Sequence, residues 1–231
     1  MISVIIPTYN EEAVLEGLLR QLRAPGVNAE VLVADGESTD RTVAVAERYA
    51  RVLRSERNRG VQLNRGAREA RGEVLLFLHA DARLPPGALA AIERTLADPA
   101  VLGGNFTLEF TGDGLPARVF TRIDRWRRWF GVFYGDSGIF VRRAVFERLG
   151  PFQPWPLLED YEFTRRLVKA GKTVCLPEVL AVSSRRWQKQ GNRRRLFRTL
   201  AAWFFIQTFF FLGVPPRWLL RWYPPARPRV G

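Results

Sequence analysis

Residues 75–85 read LLFLHADARLP. Four apolar residues in a row, 75–78, are the pattern of a strand covered on both faces, as in a parallel sheet, rather than of a strand with one wet side. The run ends in the chain's one histidine, His79, followed by Ala80 and Asp81, and Pro85 and Pro86 close it off because proline has no N–H for a ladder. A covered strand that terminates this way poses a choice: Asp81 either caps a turn or faces a ligand.

Working outward, the first hundred residues alternate two periodicities. SVIIP at 3–7 reads as a short buried strand, and Val14, Leu15, Leu18, Leu19 and Leu22 recur at helical spacing behind Glu11 and Glu12, acids that suit a helix N-terminus. AEVLVAD at 29–35 is a strand, 38–50 a helix opened by capping residues, and RVLRSE at 51–56 a weaker strand. GVQLNRGAREARG at 60–72 is a small-residue helix in which Gly60, Gly66 and Ala70 allow close approach, and the prolines at 85–86 start a further helix to 98. Strands alternating with helices of this length predict βαβ units: an α/β fold with a Rossmann-like, mostly parallel sheet and helices on both faces. Ligands of such sheets sit beyond the carboxyl ends of the strands. Those ends are Pro7-Thr8-Tyr9-Asn10, Asp35-Gly36 and His79-Ala80-Asp81.

Beyond residue 100 the pattern changes. Residues 101–112 alternate like a half-exposed strand, 115–131 form a basic amphipathic helix, 137–143 a strand, and 157–172 a helix that stops at Gly171. The second half is therefore built onto the first sheet.

At 231 residues and 47% hydrophobic, the chain buries one sizeable core, which excludes intrinsic disorder. The sole Cys175 permits no internal disulfide and fits a reducing compartment, its side chain expected against the core. The start MISVIIPTYN has neither the basic region nor the long apolar run of a secretory signal. Charge is regional: up to residue 114 there are 13 Lys and Arg against 16 Asp and Glu, and from 115 onward 23 against 7. Such a basic half suits phosphate-bearing ligands or an anionic membrane surface.

Residues 185–198 carry seven basic side chains and no acid, and the apolar run 200–214 follows. That run is shorter than the roughly 20 residues that span a bilayer. An interfacial segment with Trp and Arg at headgroup depth is the expectation, a helix packed on the domain the alternative. Nucleic acid is not the expected partner, although basic, aromatic-rich tails also occur in proteins that bind it.

Six stretches, VIIPTYNEE, VADGESTDRT, NRGVQLNRGAREARGE, LLFLHADARLP, GDSGIFVRR and PLLEDYEFTRRL, occur in an order and approximate spacing that resembles the family 2 glycosyltransferases, enzymes of the GT-A fold. The resemblance covers about residues 2–187. It implies transfer of a sugar from a UDP- or GDP-sugar to an acceptor hydroxyl, with inversion and with Mg²⁺ or Mn²⁺.

Carried over position by position, the resemblance implies that Pro7, Thr8, Tyr9 and Glu11 hold the base and ribose, and that Asp35 contacts the nucleoside. Arg65 reaches the nucleotide or its diphosphate, or else lies solvated. Asp81 matches the second aspartate of the family's Asp-x-Asp signature and would hold the metal. His79 stands in place of the first and is either a lesser metal ligand or a packed strand residue. Asp160 would be the base that takes the acceptor's proton, with Glu159 the weaker candidate and a neighbour able to raise its pKa. Asp136 and Ser137 would meet acceptor hydroxyls, or form a plain turn. SSRRW at 183–187 is similar to a Gln-x-x-Arg-Trp element, with Arg186 at the diphosphate and Trp187 at the acceptor sugar; Ser183 in the Gln position argues against a processive polymerase.

The expected organisation is a transferase domain over 1–187, its nucleotide half to about 100 and its acceptor half beyond, then a basic membrane-associating tail over 188–231. The expected location is the cytoplasmic face of the cell membrane, peripherally bound, with a lipid-linked or membrane-embedded acceptor. Two rivals remain at this stage: a sugar nucleotidyltransferase using the same sheet edge, and a non-catalytic polyanion-binding protein needing only the basic half.

Overall fold

Strand and helix alternate as the periodicity predicts in the computed structural model, which describes residues 1–111, 115–128, 133–183 and 193–222. Strand β1 (Ile2–Thr8) leads into α1 (Glu12–Leu22), β2 (Ala29–Asp35) into α2 (Thr42–Glu47), and β3 (Arg51–Arg54) into α3 (Arg59–Glu69). β4 (Val74–Phe77) passes through the short β5 (Ala82–Arg83) to α4 (Ala88–Thr95). Then come β6 (Val101–Thr111), α5 (Leu115–Arg128), β7 (Ile139–Arg142), α6 (Arg143–Leu149), α7 (Glu159–Ala170) and β8 (Lys172–Ser183). The tail contributes α8 (Arg193–Phe211) and the short α9 (Pro216–Leu219).

Among the described residues the strands form one eight-stranded sheet in the order β3-β2-β1-β4-β7-β6-β8-β5. β1 pairs in parallel with β2 and β4, and β2 with β3, while β7 runs antiparallel between β4 and β6. β6 and β8 run parallel from Val101–Lys172 to Thr111–Ser183, with a register shift after Phe106. The second half thus extends the first sheet.

The two periods explain the layers. Ile2, Val4 and Ile6 of β1 face Leu15, Leu18, Leu19 and Leu22 of α1, whereas Ile5 faces Leu63 and Ala67 of α3 on the opposite side, with Phe163 of α7 in the same cluster. Each such buried side chain contributes about 1.5–3 kcal/mol. The small face of α3 is used as expected: a methyl group on Gly66 would collide with Ile5, and one on Gly60 with the carbonyl of Gln153.

Some expectations needed correction. α2 is one and a half turns rather than the whole of 38–50, and α4 begins at Ala88 behind Gly87 with φ 73°, so Pro85 and Pro86 precede the helix instead of opening it. Cys175 is exposed, not packed in the core, because strand parity turns Leu176 inward on β8 and Cys175 outward.

The tail helix packs on the domain, the alternative of the two readings made of it. Trp203, Ile206 and Phe210 of α8 pack against Tyr134, Leu157, Leu158 and Tyr161, while Phe197, Phe204, Phe205, Phe209, Phe211, Trp218 and Trp222 remain exposed. Among the described residues no helix is long and apolar enough to cross a membrane.

Candidate active site

The carboxyl ends of β1 and β2 lie in register, Thr8 opposite Asp35. Thr8 Oγ1 donates to Asp35 Oδ1 at 3.0 Å, Ser38 Oγ donates to the same oxygen at 2.6 Å, and Ser38 N donates to Oδ2 at 3.0 Å. From α3, Gln62 Nε2 bridges the two strand ends by donating to Thr8 O at 2.7 Å and Ala34 O at 2.8 Å. Asn10, with φ 52°, a conformation Asn tolerates better than most residues, accepts from Thr39 N at 2.8 Å and donates its own N–H to Ser38 Oγ at 2.9 Å. Glu11 N donates to Thr42 Oγ1 at 2.8 Å. The two loops therefore form one unit. At its rim the Arg57 guanidinium lies 3.7 Å from the Tyr9 ring centroid, a cation–π contact that fixes the ring's orientation.

Asp35, expected at the nucleoside, is fully buried. A nucleoside reaching its carboxylate has to take the place of Ser38.

The other wall starts at α3. Asn58 Oδ1 caps the helix by accepting from Val61 N at 3.1 Å, and Arg59 is its first residue, where the helix dipole disfavours a cation. Acids answer that charge. Arg59 Nε pairs with Glu159 Oε1 and Nη2 with Asp160 Oδ2, while Nη1 lies 3.2 Å from His79 Nε2. Arg59, His79, Gly135 and Asp160 line one narrow cleft of about 10 Å³ together with Pro7, Leu63, Phe77, Leu78 and Ile139, closed down by the Arg59 ion pairs to the room of about one water.

Glu159 and Asp160 are placed by a segment held from α3. Asn64 exchanges two hydrogen bonds with the backbone of Phe152, at 2.8 and 2.9 Å, and Asn58 Nδ2 donates to Pro154 O at 3.2 Å. Leu158 then takes φ 65°, a left-handed conformation costing a branched residue about 1–3 kcal/mol. Its burial among Tyr134, Tyr161, Ile206 and Leu219 holds it there. Asp160 accepts from Gly135 N at 2.8 Å and from Tyr161 N at 2.7 Å. Gly135 must be glycine for this approach, since a Cβ would lie 2.8 Å from Arg59 Nη2 and 2.9 Å from Asp160 Oδ2.

Both acids are nearly buried, Glu159 at 4% and Asp160 at 7% exposure. Burial pushes both toward the neutral form, but the outcomes differ. For Asp160 the Arg59 charge, the N–H groups of Gly135 and Tyr161, and His79 outweigh burial and hold the carboxyl below its ordinary value. For Glu159 burial prevails over Arg59, the neighbouring Asp160 adds to it, and the pKa is raised. Burial disfavours the Arg59 charge, yet Asp160, Glu159 and Asp136 outweigh it and keep the guanidinium protonated. The expectation that the neighbouring acid lifts Asp160 is thus corrected: Arg59 reverses the sign.

The remaining expected residues separate. Asp81 lies within a turn closed by Ala82 N to His79 O at 3.1 Å, and lines a different groove of about 430 Å³ with Val14, Gly17, Gln21, Arg83 and Ala181. His79 as a metal ligand is corrected, because its Nε2 faces Arg59. Among the described residues no group of three His, Cys, Asp or Glu side chains is arranged to hold a metal. Asp81 alone fits a cation carried in chiefly by phosphate oxygens, as Mg²⁺ usually is. Ser137, expected at the acceptor, is fully buried, donating to Tyr134 O at 2.7 Å and accepting from Asn105 Nδ2 at 3.1 Å; its hydroxyl belongs to the turn. Asp136, beside it, stays half-buried within the field of Arg59. Arg65 takes the solvated alternative, pairing with Glu69 along α3 at 3.5 Å, six residues or about 9 Å beyond Arg59. Arg186 and Trp187 lie outside the described residues.

Arg59 is the site residue that the sequence reading missed. Its signal was a cation at the first position of a capped helix, which needs an acid from elsewhere in the chain.

The chain belongs to glycosyl transferase family 2, whose family model matches residues 3–150. The fold is accordingly of the GT-A type. It superposes on a mannosyltransferase of Pyrobaculum calidifontis, solved with GDP-Man and Mn²⁺, with a TM-score of 0.67 at 24% identity, over 91% of this chain and 63% of that one. A dolichol-phosphate mannosyltransferase of Pyrococcus furiosus is 37% identical over 94 residues, 37% of this chain and 27% of the relative. An undecaprenyl-phosphate 4-deoxy-4-formamido-L-arabinose transferase of Pseudomonas paraeruginosa is 31% identical over 143 residues, 56% of this chain and 39% of the relative. The chain thus spans well under half the length of these two curated relatives.

Proposed function

We propose that this chain is a glycosyltransferase that moves a sugar from a UDP- or GDP-sugar to an acceptor hydroxyl with inversion, Asp160 acting as base. One observation carries the reading: a buried carboxylate held ionised, Asp160, shares a cleft with the strand-end residues Pro7 and His79, where ligands of this fold sit. The Pro7–Glu11 turn and the Asp35–Ser38 loop hold the nucleoside. Asp160 takes the proton of the acceptor hydroxyl as that oxygen bonds to the anomeric carbon, and the bond to the diphosphate oxygen breaks with its electron pair leaving on the nucleoside diphosphate. Asp81, in the same turn as the His79 that reaches Arg59, would hold Mg²⁺ or Mn²⁺ where that turn separates the cleft from the adjoining groove, and the ion when bound supplies charge neutralisation for the leaving group.

We read residues 1–187 as the transferase and 188–231 as a tail lying on the cytoplasmic face of an anionic membrane. No acidic residue follows Glu178, while 11 Lys and Arg do, and α8 exposes its aromatic face. A lipid-linked acceptor fits that surface and the polyprenyl-phosphate names of the two relatives.

The test is product identity across a panel of UDP- and GDP-sugars with Mg²⁺ or Mn²⁺ and lipid-linked acceptors that carry a free hydroxyl, with polyprenyl phosphate, whose nucleophile is an already ionised phosphate oxygen, run beside them. Release of free nucleoside diphosphate is expected. Pyrophosphate as product would make the chain a nucleotidyltransferase, and no turnover with any donor would return it to a binding role.

A further inference from the structure

We propose that Arg59 is a phosphate-binding residue whose guanidinium is shared between Asp160 and the nucleotide's diphosphate, so that a bound donor draws it off the base. The inference rests on the glycosyltransferase reading and assigns a role within the same cleft.

Arg59 is the one Arg or Lys among the residues lining that cleft. Its side chain is one-third exposed while its partners Glu159 and Asp160 are at 5% and 10%, so the open side of the ion pair is the arginine's. It enters from the N-terminus of α3, where free backbone N–H groups also favour an anion. Its third arm reaches His79, two residues beyond the carboxyl end of the central strand β4. A planar guanidinium with five donors can hold a carboxylate and a phosphate together.

The present contacts set the competition. Asp160 Oδ2 receives both Arg59 Nη2 and Gly135 N, and Oδ1 receives Tyr161 N. A carboxylate with about four acceptor positions is then nearly filled, and its attraction to Arg59 weakens it as a base. A diphosphate bearing two or more negative charges competes for the same guanidinium. Moving it frees a lone pair on Oδ2 for the acceptor hydroxyl, so that base strength rises only when a donor is present. The charged groups facing Asp160 are Arg59 from α3, His79 after β4, Asp136 from the turn before β7, and Glu159 beside it.

The experiment is calorimetric titration of the full chain with GDP and with UDP, in EDTA and then in Mg²⁺. Arg59→Gln and Arg59→Lys should both weaken nucleotide binding in EDTA, Gln by about tenfold or more, the worth of a charge-assisted hydrogen bond. Asp160→Asn should tighten it several-fold, because the guanidinium keeps only Glu159 of its two paired carboxylates. That second variant keeps the test decisive if Arg59→Gln fails to fold. Unchanged or weaker binding by Asp160→Asn, or Arg59→Lys binding like the wild type, overturns the shared-guanidinium role and leaves Arg59 a structural ion pair. Wild-type chain that binds neither nucleotide overturns the donor reading itself, a separate outcome.

Discussion

Asp160 does its work through what surrounds its carboxyl. Held below its ordinary value by Arg59 and two N–H groups against the pull of burial, it stays ionised at neutral pH, which a base requires. The sign fixes the acid limb: activity should persist well into acid and fall only as pH drops through that depressed pKa, where Asp160 takes a proton. Arg59→Lys, with a point charge in place of the two-armed contact, should move the limb toward neutral pH, read from kcat/KM against pH, which reports the donor-free enzyme; an unmoved limb would detach Arg59 from the base. Gly135→Ala should cost about 1–3 kcal/mol of stability through overpacking and reduce turnover more than donor binding, since the new methyl presses on both Arg59 and Asp160. Urea midpoints and a comparison of kcat with KM check this. Glu159 and Asp160 were legible in the sequence because they are adjacent and open a helix. The role of Arg59 was not, because its partner lies 101 positions away and only the packing of α3 against the segment before α7 joins them.

At the scale of elements, α3 both lines the site and holds its far wall. Asn58→Ala removes a helix cap and the contact to Pro154; about 1 kcal/mol of stability should go. Faster amide exchange in 152–160 should accompany it, and protection equal to wild type there would show that the segment holds itself. The strands were legible because SVIIP, AEVLVAD and LLFL alternate with amphipathic helices, and the register that places Thr8 against Asp35 follows from parallel pairing. What periodicity does not encode is where a turn aims its side chains. His79 and Asp81 are two positions apart at one strand end, Asp81 read as the metal ligand and His79 as a lesser ligand or a packed strand residue, and the turn sends His79 to Arg59 and Asp81 to the adjoining groove. For Ser137 the plain-turn alternative is the one the structure takes: a three-residue turn packed on Asn105 buries the hydroxyl that the motif alone leaves open.

Across the whole molecule, the tail joins the surface to the site. Tyr134 and Tyr161 stack at 5.1 Å between ring centroids, and Trp203 and Phe210 of α8 meet their edges. These two tyrosines flank the pair that hydrogen-bonds Asp160, since Tyr134 precedes Gly135 and Tyr161 supplies its own N–H. Flotation with vesicles containing phosphatidylglycerol should carry the protein at moderate salt, and changing Phe204, Phe205 and Trp222 to Ser should release it while the fold persists. Flotation unaffected by the triple change would place membrane contact elsewhere. The aromatic run made an exposed aromatic tail helix legible, whereas its packing against the tyrosines depends on long-range contacts that no local pattern carries.

The central claim is that Asp160 deprotonates the acceptor, and the most direct measurement is the rate of nucleoside diphosphate release by Asp160→Asn beside the wild type, with GDP and UDP affinity determined on the same samples. The account predicts that release falls by about 10²–10⁴-fold while nucleotide binding is kept or strengthened. Turnover near the wild-type rate, with binding intact, would contradict it.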